Sequence, residues 1–292
     1  MNVGVIGIGL MGLAIALRLR ELGHEVHVRD INPARVALAE GCRVQPTAVQ
    51  LAAQCELVFI VVVDAAQVRR VLFHADGVLH ARPLPHALVL CPTIGAADTE
   101  AFAAALQDAG VACLDAPMSG GPQRARDGSM SLMVACTEAV FQQWRPLLAQ
   151  LASGLRHVGT RAGDGARTKL VNNLLATINL VGACEVMALA EKLGLDAATT
   201  LAVIEQSSGQ SWIGSERLQR VLAGDTSVRA QMSLLAKDSA LALAQAREVD
   251  FSTPLGAAAA ARFAAALQAG LADADDSALW RFTAGPTPQS AP

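Results

Sequence analysis

Three polar side chains with catalytic potential interrupt the apolar segment 167–182, "RTKLVNNLLATINLVG": Lys169, Asn172 and Asn173. On a helix Lys169 and Asn173 share one face, because they are four residues apart. Desolvation lowers the pKa of a lysine, which would suit a general base working near neutral pH. The alternative is a lysine that reaches solvent from the start of the helix, with asparagines that bond across a domain interface.

A glycine motif of the form G-x-G-x-x-G follows the first strand-like run and opens an apolar-periodic helix. Its residues are Gly7, Ile8, Gly9, Leu10, Met11 and Gly12. This context predicts a dinucleotide site: the first glycine allows a tight turn, the second lets the pyrophosphate approach, and the third packs helix against strand. The N-terminus of the helix then faces the phosphate charge. A glycine-rich turn without a ligand is the alternative.

The acid that ends the second strand-like run predicts the choice of nicotinamide cofactor. Asp30 lies 18 residues after Gly12, where a carboxylate can accept hydrogen bonds from the adenosine ribose and repels a 2′-phosphate. Arg29 should point to the opposite side of the strand. Arg35 is the one nearby arginine that could compensate, so the sequence predicts NAD, with NADP less favoured.

Alternating strands and helices, followed by helices alone, are predicted to position these residues. The strand-like runs are 2–6, 25–29, 57–63, 87–91, 111–116 and 131–136. Continuous apolar runs of this kind are typical of a sheet covered on both faces. After a glycine-rich junction at 157–165, helices are expected at 166–193, 196–206, 211–223, 231–248 and 253–269. The prediction is a doubly wound α/β domain over 1–161, an all-α domain over 162–292, and a disordered tail at 284–292.

Composition excludes several classes of protein. A net charge of −3 gives no sign of nucleic-acid binding. Six scattered cysteines without a C-x-x-C pair favour reduced thiols in a cytoplasmic protein and no metal site. The chain has no tyrosine, so a Tyr-Lys proton donor is impossible, and its six histidines are expected at the surface or at strand ends. No signal peptide is visible, and polar side chains within 170–190 argue against a membrane span.

Four motifs, in order, resemble the β-hydroxyacid dehydrogenases. They are "GIGLMG" at 7–12, "DAPMSGG" at 115–121, "KLVNN" at 169–173 and "AKDSALA" at 236–242. That family includes 3-hydroxyisobutyrate dehydrogenase, tartronate semialdehyde reductase, L-threonate dehydrogenase and, more distantly, 6-phosphogluconate dehydrogenase. The resemblance runs from Val3 to about Phe282 and implies a Rossmann-type nucleotide domain followed by the all-α domain.

The resemblance also implies roles for individual residues. Lys169 resembles the catalytic lysine and Asn173 its hydrogen-bonding companion. The residues implied on the substrate side are Ser119, Gly120, Gly121, Asn172 and Lys237. Those implied on the cofactor side, besides the glycine motif and Asp30, are Ile31, Val62, Val63, Thr93 and Lys237. Where the family often has Leu-Pro, this chain has Val62 and Val63, so the loop over the cofactor is expected to differ.

The function implied is oxidation of a small hydroxy acid by hydride transfer to NAD. Segments 64–73, 209–225 and 275–282 most resemble the L-threonate branch, whereas Asn172 and Asn173 resemble the hydroxyisobutyrate branch. The resemblance therefore does not identify which hydroxy acid is the substrate. The alternatives are a non-catalytic dinucleotide-binding sensor and an imine or semialdehyde reductase. The uncharged helix at 170–184 and the alanine-rich stretch at 256–266 would suit subunit packing, so a homodimer or homotetramer is expected.

Overall fold

The computed structural model describes residues 1–285, which fall into two compact units divided between Lys169 and Leu170. The domain boundary predicted between residues 161 and 162 stays a prediction. Of the predicted tail, Ala284 ends the last helix and Gly285 follows it. Residues 286–292 lie outside the described residues.

A twisted sheet forms the centre of the first unit. Its strands are β1 Asn2–Ile6, β2 Glu25–Arg29, β3 Arg43–Val44, β4 Leu57–Ile60, β5 Ala87–Leu90, β6 Ala112–Asp115, β7 Met118–Ser119, β8 Ser131–Ala135 and β9 Gly154–Gly159. The strand order is β3-β2-β1-β4-β5-β6-β8-β7, with β9 paired to β8. Strands β1 to β6 pair in parallel, and β8 joins β6 in the antiparallel direction. The order 3-2-1-4-5-6 is that of a dinucleotide-binding sheet.

The apolar strands are buried on both faces, as their continuous hydrophobic runs predict. In β4, Leu57 and Phe59 join one core cluster while Val58 and Ile60 join another. Successive strand side chains point to opposite faces, so the two clusters lie on the two sides of the sheet. The predicted doubly wound sheet is confirmed.

Helices cover this sheet, and the last of them continues into the second unit. They are α1 Leu10–Glu21, α2 Pro33–Val36, α3 Ala48–Ala52, α4 Ala65–Phe73, α5 Ala96–Asp108, α6 Gly121–Asp127, α7 Glu138–Leu151 and α8 Asp164–Lys192. By length and composition α8 could cross a membrane, with 39% of its most apolar window buried. The core helix of a water-soluble protein passes the same test.

The second unit is helical. Besides α8 it contains α9 Ala197–Glu205, α10 Trp212–Leu222, α11 Met232–Glu248, α12 Pro254–Gln268 and α13 Leu279–Ala284. Its core includes Leu180, Cys184, Phe263 and Trp280. Between residues 160 and 285 the structure shows no strand, only an isolated bridge between Gln231 and Asp275. The predicted all-α region is confirmed for these residues.

The sequence analysis did not predict three of the strands, and one strand that it did predict is shorter than expected. β3 and β7 are two residues long, too short to show a pattern. β9 extends to Gly159, so the junction predicted at 157–165 begins inside a strand; partly exposed throughout, β9 needs no apolar run. The strand predicted at 57–63 ends at Ile60, although the N–H of Val61 still donates to the carbonyl oxygen of Ile6 at 2.8 Å.

Candidate active site

The glycine motif forms an open cradle at the start of α1. Gly9 is the N-cap of α1 and makes no side-chain cap hydrogen bond. A Cβ on Gly9 would meet nothing within 4 Å, whereas a Cβ on Gly12 would lie 1.8 Å from the carbonyl oxygen of Gly7. The third glycine is therefore required by packing and the second leaves room for a ligand. Free N–H groups at a helix N-terminus suit a pyrophosphate, so these residues fit a dinucleotide.

Asp30 links the end of β2 to this cradle. Its Oδ2 accepts a hydrogen bond from the backbone N–H of Ile8 at 2.6 Å, and its Oδ1 accepts one from the N–H of Asn32 at 2.8 Å. An ionised carboxylate offers about four acceptor positions, so two remain for ribose hydroxyls. Ile31, which follows, is 84% exposed. Arg35 is exposed on α2.

The other predicted cofactor residues follow the strands next to β1. Val62 and Val63 come after β4, and the N–H of Val63 donates to Oε1 of Gln67 at 2.9 Å. Thr93 follows β5 and is half-buried. The strand order reverses between β1 and β4, and ligands of open α/β sheets bind at the carboxyl ends of strands at such a point. At the cradle, Leu10 is exposed and Met11 packs against the core.

The predicted substrate loop lies at the end of β7. Ser119 is the last residue of β7 and pairs with Ser131 of β8. Gly120 and Gly121 have φ angles of +124° and +75°, a region in which side chains are strained. The two glycines therefore make a turn that other residues resist. The hydroxyl of Ser119 and the backbone N–H groups of this segment are all possible hydrogen-bond donors. Such a group of donors suits a carboxylate.

Lys169 is buried at 6% exposure near the start of α8. Fully buried lysines are rare in folded proteins. Asn173 follows one helical turn later at 8% exposure. The alternative considered above, a lysine that reaches solvent from the helix start, is therefore wrong for Lys169.

In the second unit, Asn173 and Lys237 both donate hydrogen bonds to the buried carboxylate of Asp238, a residue that the sequence analysis did not identify. Nδ2 of Asn173 donates to Oδ2 of Asp238 at 2.6 Å, and Nζ of Lys237 donates to Oδ1 of the same side chain at 2.7 Å. Nδ2 of Asn172, which is exposed, donates to Oδ1 of Asn173 at 3.0 Å. Asp238 adjoins Lys237 in the motif "AKDSALA", but nothing in its spacing pointed to Asn173.

The structure thus places the predicted residues in two groups. The cofactor residues, Ser119 to Gly121 and Lys169 belong to the first unit, whereas Asn172, Asn173 and Lys237 belong to the second. One expectation about histidines is wrong: His27 is buried inside β2, with Nδ1 3.0 Å from Nε2 of Gln45. Among residues 1–285 no three metal-binding side chains cluster.

Sequence comparisons match both parts of the chain to known families. Residues 2–159 match the NAD binding domain of 6-phosphogluconate dehydrogenase. Residues 163–283 match the family described as NAD-binding of NADP-dependent 3-hydroxyisobutyrate dehydrogenase. The chain belongs to the β-hydroxyacid dehydrogenase family.

Individual relatives extend over nearly the whole chain. L-threonate dehydrogenase of Cupriavidus necator is 34% identical over 97% of this chain and 96% of its own length. A crystal structure of 3-hydroxyisobutyrate dehydrogenase from Salmonella typhimurium superposes with a TM-score of 0.88 at 34% identity, covering 97% of this chain and 99% of that one. Psf3, solved in complex with NADP⁺ and 2-OPP, gives a TM-score of 0.87 at 28% identity, covering 95% and 98%.

These likenesses confirm the predicted family, fold and class of enzyme. The β-hydroxyacid dehydrogenase described here is an NAD(P)-dependent oxidoreductase that acts on the CH–OH group of small hydroxy acids. Its relatives carry the names of different acids, and one neighbour holds NADP⁺. The acid and the preferred cofactor are therefore questions for the residues of this chain.

Proposed function

We propose that this enzyme oxidises a small, sugar-acid-like hydroxy acid with NAD, using Lys169 as the general base. Candidate substrates are L-threonate, D-glycerate and 3-hydroxyisobutyrate. The observation that carries the proposal is the burial of Lys169 one helical turn before Asn173 on α8. Burying a charged group costs free energy, so a lysine is retained here at a cost, and a positioned lysine is a competent base.

The proposed reaction moves one proton and one hydride. Neutral Nζ of Lys169 takes the proton of the substrate hydroxyl as the carbon–oxygen bond becomes a carbonyl, and the lysine ends as an ammonium. Bound NAD supplies the hydride acceptor. In the reverse direction the ammonium returns the proton to the carbonyl oxygen, so one residue serves both directions.

The remaining residues orient the acid. In this proposal the Ser119–Gly121 loop holds the carboxylate through the serine hydroxyl and backbone N–H groups. Asn173 orients the hydroxyl that loses its proton, and Asn172 and Lys237 contribute on the substrate side. Asp238 keeps Asn173 and Lys237 in place, because one carboxylate accepts from both side chains.

The preference for NAD rests on Asp30. A 2′-phosphate beside this carboxylate would meet like charge, whereas a ribose hydroxyl can donate to it. A charge-assisted hydrogen bond contributes about 1.5–3 kcal/mol, which corresponds to a preference for NAD of about 10- to 150-fold. Exposed Arg35 is the side chain that could oppose this preference.

A spectrophotometric screen tests the proposal. Small hydroxy acids, including the three candidates, are offered with NAD⁺ and with NADP⁺, and kcat/KM is measured for each pair. We expect turnover of at least one sugar-acid-like substrate and a preference for NAD. Equal values for the two cofactors would contradict the role of Asp30. NADH binding without turnover of any acid would favour a dinucleotide-binding sensor instead.

We further propose a cytoplasmic homodimer or homotetramer with neither a membrane nor a nucleic-acid partner. The support for self-association is an exposed apolar stripe along α8: Val171, Leu175, Val186 and Leu189 are 47–71% exposed. On a helix with 3.6 residues per turn these four side chains lie on one side. Large exposed apolar patches often mark protein–protein interfaces, and these four side chains could contribute to one.

A further inference from the structure

Asp115, the last residue of β6, holds the first turn of α8. Its side chain is 2% exposed, and its Oδ2 accepts hydrogen bonds from the N–H groups of Gly163 at 2.9 Å and Ala166 at 3.1 Å. The first N–H groups of a helix have no partner within the helix. Asp115 supplies that partner from a strand that lies 48 residues earlier in the chain.

Both of these partners are backbone N–H groups, which carry no net charge. Burial raises the pKa of its carboxyl to about 6, against the opposing effect of the backbone N–H groups. A buried carboxylate of this kind is retained at a cost, so its geometry should matter to the protein.

A second contact, at Gly165, brings α8 close to the end of β6. A Cβ on Gly165 would lie 2.7 Å from the carbonyl oxygen of Asp115 and 2.8 Å from that of Met133 in β8. Real Cβ atoms do not approach backbone atoms so closely. The first turn of α8 therefore packs directly on the end of β6 and the middle of β8, with no room for a side chain.

Both contacts bear on the proposed catalytic lysine. Lys169 follows Ala166 by three residues on α8, and the Ser119–Gly121 loop begins four residues after Asp115. The side chain of Asp115 thus connects the backbone at the start of α8, which carries Lys169, with the strand that leads to the Ser119–Gly121 loop. An error of about 1 Å in such a placement can cost about a hundredfold in rate.

We propose that Asp115 is a positioning residue: its carboxylate fixes the start of α8 against β6 and thereby sets Lys169 relative to the Ser119–Gly121 loop. The inference rests on the proposed role of Lys169. It assigns Asp115 no contact with substrate or cofactor. The position of the lysine is instead fixed through the backbone N–H groups of Gly163 and Ala166 and the close approach at Gly165.

Two pairs of matched variants test this. Asp115→Asn removes the charge of a buried acceptor of backbone N–H groups. Its control is Asp275→Asn, because Oδ2 of Asp275 accepts from the N–H groups of Arg229 at 2.8 Å and Ala230 at 3.1 Å in the second unit. Gly165→Ala adds a methyl group in the first turn of α8, where there is no room for one. Its control is Gly214→Ala in the first turn of α10, where a Cβ would lie 2.7 Å from Oγ of Ser211.

We expect both test variants to lower kcat by about tenfold or more, with NADH affinity unchanged and faster amide hydrogen exchange confined to residues 163–170. The controls should lose thermal stability but keep wild-type kcat. Wild-type kcat in both test variants, or an equal loss in the controls, would overturn the inference. If Asp115→Asn does not fold, Gly165→Ala against Gly214→Ala decides, since it leaves the carboxylate intact.

Lys169→Ala, measured alongside, separates this inference from the proposed function. Full activity in Lys169→Ala would overturn the role of the base and the positioning role with it. An inactive Lys169→Ala combined with an Asp115→Asn variant that behaves like Asp275→Asn would overturn the positioning role alone.

Discussion

Both sides of α8 depart from the usual pattern of an amphipathic helix, although its buried side also carries core residues such as Leu180 and Cys184. On one side Lys169, Asn173 and Thr177 are buried; we call this the polar face. On the other side Val171, Leu175, Val186 and Leu189 are exposed; we call this the apolar face. An amphipathic helix normally buries its apolar stripe and exposes its polar one.

The difference indicates that the two faces have different tasks. Polar groups on the buried side need partners, and Asn173 has one in the carboxylate of Asp238. Exposure of the apolar groups on the other side to water is unfavourable, and it becomes favourable to cover them with another surface. We therefore expect changes on the polar face to affect turnover and changes on the apolar face to affect association.

The largest effect is expected from Lys169→Ala on the polar face. Loss of a general base typically lowers the rate by about 10²- to 10⁴-fold. NADH affinity and oligomeric state should be unchanged, because the lysine contributes to neither in our proposal. The measurements are kcat on the best acid and NADH binding by fluorescence. Lys192→Ala, at the exposed end of the same helix, is the control and should behave as wild type.

Leu175→Glu combined with Leu189→Glu should weaken self-association. A leucine buried at an interface contributes about 1.5–3 kcal/mol, and a two-fold interface counts each change twice. The dissociation constant should therefore rise by about a hundredfold or more. Light scattering with size-exclusion chromatography measures it. Val44→Glu places the same charge on exposed β3 as the control, and an unchanged oligomer in the double variant would rule out the apolar face as the interface.

Asn173→Ala should affect both turnover and stability. It removes a hydrogen bond to the buried carboxylate of Asp238, a bond to a charged group being typically worth about 1.5–3 kcal/mol. Chemical denaturation and kcat/KM give the two readouts, with Asn179→Ala on the same helix as the control. Lower stability with normal kcat/KM would show that Asn173 is structural only and that the polar face is not all catalytic.

The smallest effect is expected from Gly182→Ala, which lies between Leu175 and Val186 along the apolar face. A Cβ there meets nothing within 4 Å, and alanine in place of glycine stabilises a helix interior by about 0.8–1.0 kcal/mol. Thermal unfolding of the dissociated Leu175→Glu, Leu189→Glu variant should show this gain. Weaker association of Gly182→Ala in the wild-type background would place a partner helix in close contact with this glycine.

Local patterns in the sequence predicted much of the fold. The runs in β1, β4 and β5 are apolar enough to be buried on both faces, and that property can be read without knowing their neighbours. The glycine motif also worked as a local signal, because the tight turn before α1 and the packing of Gly12 involve residues a few positions apart. The long helices were recognised by their length, caps and breakers.

The candidate site was predictable in part. Lys169 and Asn173 stood out because a lysine and an amide are costly in an apolar helix. Ser119, Gly120 and Gly121 were assigned by resemblance to a family, and the positive φ angles of the two glycines are compatible with an exposed turn. The roles of all five stay predictions until the variants are measured.

Only the tertiary structure decided the partners of the buried carboxylates. Asp238 meets Asn173 from 65 residues away, and Asp115 meets the start of α8 from 48 residues away. No local pattern encodes such contacts, because they depend on how strands and helices pack. The edge strand β9 is similar: it forms by pairing with β8, and its own residues show no apolar run. The sequence determined which segments form elements and which side chains are costly to bury, whereas packing determined where those side chains find their partners.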